Sequence, residues 1–116
     1  MSHAPHGFHA HVYFDATDKD SADAAMELRM AVARDLPRVA IGRWHAKPVG
    51  PHPMGSYQLD FSPAREAETV GYLKANSRGL SILLHTETGD HLHDHTDGTA
   101  WIGAPKDLDL SIFNHA

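Results

Sequence analysis

Residues 7–15, GFHAHVYFD, alternate apolar and polar side chains at a period of two, and no other stretch limits the fold as strongly. Read as a strand, the segment puts Phe8, Ala10, Val12 and Phe14 on one face and His9, His11, Tyr13 and Asp15 on the other. One face must be packed, and the other carries imidazoles.

The elements that follow say what packs against the apolar face. After the polar turn DATDKD, a helix is predicted with Asp20 or Ser21 as N-cap and Asp23 and Glu27 near its positive end. Ala25, Leu28, Val32 and Leu36 recur at helical spacing, and Pro37 stops the helix. A second strand is expected over residues 38–46 with Gly42 as a bulge, then an ordered turn or loop in KPVGPHPMG. SYQLDF reads as a third strand, with Tyr57, Leu59 and Phe61 inward and Gln58 and Asp60 opposite. Ser62 and Pro63 open a second helix carrying Ala67, Val70 and Leu73 on its stripe, and Gly79 fits its C′ position. LSILLHTE is a fourth strand, with Leu80, Ile82 and Leu84 on one face and His85 on the other.

The order strand, helix, strand, strand, helix, strand is that of an α+β, ferredoxin-like βαββαβ sandwich. Two helices cover one face of its antiparallel sheet, and a C-terminal extension begins near Thr88. His9, His11, Gln58 and His85 then share the uncovered face. The chain's 116 residues suit a single domain over positions 1–116 and are far short of the roughly 250 that a (β/α)₈ barrel needs.

Composition excludes whole classes of chemistry. Cysteine is absent, which removes disulfides, thiolate zinc sites and a thiol nucleophile. Apolar runs such as residues 82–84 fall far below the roughly 20 residues of a membrane span, and MSHAPHG lacks the pattern of a secretory leader. A cytoplasmic protein without a membrane partner is expected. Ten Lys and Arg against fifteen Asp and Glu give −5, with the cations scattered, so no nucleic-acid partner is expected. The eleven histidines outnumber Lys and Arg together. Imidazole is the commonest metal ligand, which makes this surplus the main functional clue in the composition.

His9 and His11 project from one strand face within reach of one ion, and His85 adds a third imidazole at the equivalent facing. His52, in the rigid Gly50-Pro51-His52-Pro53 turn, is placed to complete a metal set. The competing reading is a solvated strand face on which His replaces Thr or Gln. GDHLHDHTDG, residues 89–98, fits neither the HxHxDH register nor an EF-hand loop, so His91 and His93 read as surplus. His3, His6 and His115 read as solvated, and His45 as either a strand-edge or a functional residue. Tyr13, Tyr57, Trp44 and Trp101 could equally line a pocket or fill a core. No GxSxG, HExxH, Walker loop or GxGxxG occurs.

FHAHVYFD, KPVGPHPMGSYQLDF, RGLSILLHTETGDHLHDHT and WIGAP, in that order over residues 8–113, resemble the DOPA 4,5-dioxygenase family. The resemblance implies a ferredoxin-like fold and extradiol opening of a catechol, DOPA or a relative, by dioxygen. It implies iron(II) as cofactor, with zinc or nickel able to take its place in a purified sample. It maps His9, His11, His52 and His85 as metal ligands and the Asp94-His95 pair as catalytic. His95, or whichever of His9 and His52 is not a ligand, is the expected acid–base group. The alternative is a non-catalytic, dimeric module that binds metal or a small ligand on its His-rich face. A homodimer covering that face is expected in either case, because Tyr13 and Leu83 on it are poorly suited to water. Metal affinity is expected to fall as the pH drops through about 6.5.

Overall fold

The structure is a computed structural model and describes residues 5–113, so His3 and His115 lie outside the described residues. Strand β1 (Gly7–Phe14) runs at the centre of the sheet, antiparallel both to β3 (Gly55–Phe61) and to β4 (Ile82–Glu87). With β2 (Ala40–Ile41) and β5 (Thr99–Ile102) the spatial order is β2-β3-β1-β4-β5. The first four strands therefore have the ferredoxin-like arrangement expected from the sequence. β5 is an added edge strand within what the sequence leaves as a tail.

Helices α1 (Lys19–Asp35) and α2 (Glu66–Asn76) pack on the apolar face. Ala10, Val12 and Phe14 of β1 meet Leu28, Val32 and Leu36 of the α1 segment and Leu73 of α2 there, all buried. Trp44 stacks on Phe14 at 4.0 Å between centroids and lies 5.8 Å from Tyr57, whose hydroxyl donates to the Ala25 carbonyl. Those two aromatics are core residues, not a pocket lining.

Local details depart from the sequence reading for physical reasons. The α1 N-cap is Asp18, not Asp20 or Ser21, because its extended backbone lets its carboxylate accept from the Asp20 N–H. The second strand shrinks to two residues plus an isolated bridge between His45 and Ser56. From Ile41 to His45 the chain advances four residues while its partner advances three, Leu59 to Ser56, so one extra residue bulges out beside Gly42. A 3₁₀ turn over Pro63–Arg65 precedes α2 and rotates its stripe. Thr69 and Leu73 are consequently the buried positions, while Ala67 is exposed. Arg78 occupies C′ in a left-handed conformation, and Gly79 follows one position later than expected.

The opposite face is not left open, which corrects the expectation from the two-helix count. Tyr13 and Leu83 are buried within the single chain. The 42–54 loop brings His52 against Tyr13, and β5 brings Trp101 to 5.8 Å from the same ring. The helix α3 (His91–Asp94) and a 3₁₀ turn (Leu110–Phe113) complete the cover. The ground on which a dimer was expected is therefore gone. No helix among the described residues is long and apolar enough to cross a membrane.

Gly103 and Gly79 allow a controlled test of how the added strand is held. Both have φ +77°, but a Cβ at Gly103 would sit 2.8 Å from the Leu80 carbonyl oxygen, whereas nothing lies within 4 Å at Gly79. Gly79→Ala is expected to cost about 1 kcal/mol through backbone strain alone, and Gly103→Ala roughly 2–3 kcal/mol or more. Equal losses in thermal melts would mean that the close approach to Leu80 does not matter.

Candidate metal centre

The register of the central strands gathers the polar side chains. His9 stands opposite His85 on β4 and opposite Asp60 on β3, and His11 stands opposite Gln58. Period-two alternation aims all of these to the face away from the helices. Loops then deliver two more rings: His52 lies 4.0 Å from His11 and His95 lies 4.3 Å from His85, between ring centroids. Five imidazoles from four separate segments meet over one patch of sheet.

His11 and His85 form its centre. Both are buried, and their Nε2 atoms are 2.9 Å apart. The His85 Nδ1 lies 2.8 Å from the Thr86 carbonyl oxygen, which can only accept, so this nitrogen carries the ring proton. The Nε2 lone pair of His85 is thereby aimed inward, where it accepts from the Nε2–H of His11. His95 is oriented the same way, its Nδ1 donating to the His91 carbonyl at 2.8 Å. Its half-buried ring is stacked on Phe113 at 4.5 Å, so the Leu110–Phe113 turn backs the site.

His52 has the opposite tautomer. Its Nδ1 is 2.6 Å from the Tyr13 hydroxyl, a buried phenol whose pKa burial pushes well above its usual value. Tyr13 keeps its proton and has no other acceptor among the described residues, so it donates to Nδ1. His52 then holds its own proton on Nε2. Tyr13 is thus a site residue that the sequence reading left as an undecided aromatic, although it continues the 9, 11, 13 stripe.

Two carboxylates flank His9. Its Nδ1 is 3.2 Å from Glu87, and its Nε2 is 3.4 Å from Asp60. Glu87 lies two residues beyond His85 and Asp60 two beyond Gln58, so the alternation already put both on this face. Asp94, expected to be catalytic, is buried with both oxygens occupied. They accept from the Thr86 and Thr88 hydroxyls at 2.7 and 2.8 Å and from the Thr88 N–H at 3.0 Å. Burial opposes its ionisation, but these bonds outweigh that and hold its carboxyl below the usual range. Thr86 spends every polar group here: its N–H goes to Gly98, its carbonyl to His85 and its hydroxyl to Asp94. His6 and His91 are exposed, and His45 pairs with Ser56 at the strand edge.

The donor set fits a transition metal. Bonds of about 2.0–2.1 Å from imidazole put adjacent ligand nitrogens about 3 Å apart, the spacing found between His11 and His85. The ligand atoms of His9, His11 and His85 all lie within 4.8 Å of one another. An outer carboxylate on the second nitrogen, as Glu87 or Asp60 offers to His9, orients such a ligand. Imidazoles without thiolates suit iron, copper, nickel or zinc.

Fold and site together define a ferredoxin-like α+β protein built around a buried cluster of imidazoles. The Dopa 4,5-dioxygenase family matches residues 8–112, and the chain belongs to that family. It is 38% identical over 109 residues to a DOPA 4,5-dioxygenase of Amanita muscaria, covering 90% of this chain and 48% of that protein. An uncharacterized 21.2 kDa protein of Botryotinia fuckeliana is 32% identical over 113 residues, covering 90% of this chain and 62% of that one. The chain thus spans about half to three-fifths of the length of these relatives. A crystal structure of a candidate dioxygenase from Nostoc punctiforme superimposes with a TM-score of 0.86 at 43% identity, over 92% of this chain and 90% of that one.

Burial sets the acid response of this cluster. His11 is held well below the ordinary value of 6.5 by desolvation and then by repulsion from His52 and the other rings. Desolvation likewise brings His52 and His85 to about 4. The unfolded chain therefore binds more protons than the folded one between pH 6.5 and about 4, so stability is full above 6.5 and is lost as the pH falls across that window. Urea midpoints measured with chelator present are expected to drop there, and to drop less for His52→Gln. A flat profile would contradict neutral burial of these rings.

Proposed function

We propose that the chain is a non-haem, metal-dependent extradiol dioxygenase that opens the ring of a catechol with dioxygen, and that its metal is iron(II). The observation that carries this reading is the pair of buried Nε2 atoms of His11 and His85, with the His85 lone pair fixed inward by the Thr86 carbonyl. Names among the relatives agree with the reaction class. His11 and His85 would hold the metal, His9 would complete the set through one ring nitrogen, and whichever of Asp60 and Glu87 faces its other nitrogen would orient it. When bound, iron(II) supplies the redox chemistry that couples a catechol to dioxygen.

The remaining work falls to the chain's own groups. His95 presents a bare Nε2 and is the base that takes a proton from a catechol hydroxyl. His52 presents Nε2–H, kept on that nitrogen by Tyr13, and returns a proton to the opening ring. This assigns His52 to proton transfer instead of metal binding. Asp94 touches neither reactant in this scheme. It positions the site by tying residues 86 and 88 to the α3 turn, which sets both His85 and His95. Tyr13, Leu83 and Trp101 exclude water beneath the rings.

Iron(II)-loaded protein mixed with a catechol under argon and then given air is expected to take up oxygen and form a yellow muconic semialdehyde. His11→Ala or His85→Ala is expected to abolish stoichiometric metal and turnover. His95→Ala should retain metal and lose rate by roughly 10²–10⁴-fold. Tyr13→Phe should keep iron while lowering kcat, whereas His91→Ala and His93→Ala should remove only surplus metal. Bound iron with neither oxygen uptake nor colour would instead establish the non-catalytic module. Loss of metal in the His91 and His93 variants, with retention in His11→Ala, would move the site to residues 89–98.

A further inference from the structure

Beside the imidazoles, the bulge after β2 and the 49–52 turn enclose a cleft of about 340 Å³, a size suited to a small molecule. His11 and His52 line it, Arg43, His45, Ser56 and Gln58 are its other polar lining residues, and the turn supplies an apolar side. No carboxylate lines it, although the chain carries fifteen acidic residues and a net charge of −5. Arg43 is exposed and has no hydrogen bond or ion pair among the described residues. Other guanidiniums differ: Arg34, Arg65 and Arg78 meet Asp35, Glu68 and Glu27, and Arg29 donates to the Gly42 carbonyl. Arg38 shares its own cleft with Asp60 and Glu87. Arg43 alone among these stands in an acid-free cleft that opens onto the site.

We propose that Arg43 is a specificity residue that binds the carboxylate of a catechol bearing an acidic side arm, while the aromatic ring lies against His11 and His52. The inference deepens the catechol reading above and rests on it for the ring's position. It goes further in a definite direction. A planar guanidinium suits a carboxylate, whereas an ammonium on the arm finds no anion in the cleft. The preferred substrates are therefore catechol carboxylates, and an amino group on the arm adds nothing to binding.

The test uses the full iron(II)-loaded chain, with binding read under argon and turnover read separately in air. The probes are 3-(3,4-dihydroxyphenyl)propanoate, its methyl ester and dopamine. The free acid is expected to bind about 10- to 100-fold more tightly than either comparator, as for other hydrogen bonds to charged groups. Arg43→Gln should erase that preference by weakening the acid alone, and Arg43→Lys should restore part of it. In air, Arg43→Gln should raise KM for the acid and leave kcat and the kinetics of the ester unchanged. Equal binding of acid and ester by the parent chain, or an unaltered preference in Arg43→Gln, overturns the proposal. If the binding pattern holds but no probe is oxidised, the proposal for Arg43 stands and the dioxygenase reading fails.

Discussion

The structure depends on the pairing of one strand. β1 is bonded on both sides, and its alternation decides which atoms enter the core and which enter the site. A slip of one residue would drive His9 and His11 under the helices and put Ala10 and Val12 where the imidazoles meet. Burial of Val12 and Phe14 against α1 therefore does two jobs at once. It stabilises the sheet, and it fixes the register that places His9 opposite His85.

The electrostatics of the cluster follow from that placement. Imidazoles this close repel one another once protonated, and most are out of water, so the neutral form prevails for His11, His52 and His85. Neutral rings still differ in where they keep their single proton, and the partner of Nδ1 decides this. A carbonyl makes His85 and His95 acceptors toward the site, and a phenol makes His52 a donor toward it. One residue type thus turns lone pairs or an N–H toward the site according to three different neighbours.

Much of this was legible in the sequence wherever period-two or helical repetition operates. Strands β1, β3 and β4, both helices and the common face of His9, His11, Gln58 and His85 follow from side-chain spacing. Asp60, Glu87 and Tyr13 obey the same alternation, and only the contacts they make were hidden. What could not be read is whatever depends on non-periodic chain. β5 comprises four residues whose pairing with β4 depends on the turn at residues 88–98. The buried role of Asp94 needed Thr86 on β4 and Thr88 just beyond it, and the cover over Tyr13 and Leu83 comes from loops that carry no repeat. Charge bookkeeping over the whole chain likewise concealed a local acid-free cleft.

The three bonds made by Thr86 link the C-terminal extension to the chemistry of His85. Valine has nearly the same shape and β propensity, yet it would lack the hydroxyl that holds Asp94. The position is therefore closed to its obvious isostere for a reason unrelated to packing. The same link limits drift in the length of the segment from Thr88 to Gly98, because an insertion there would pull on the strand end that orients His85. A loop of that kind usually varies freely in a protein lineage; here its geometry is tied to the lone-pair direction of an imidazole.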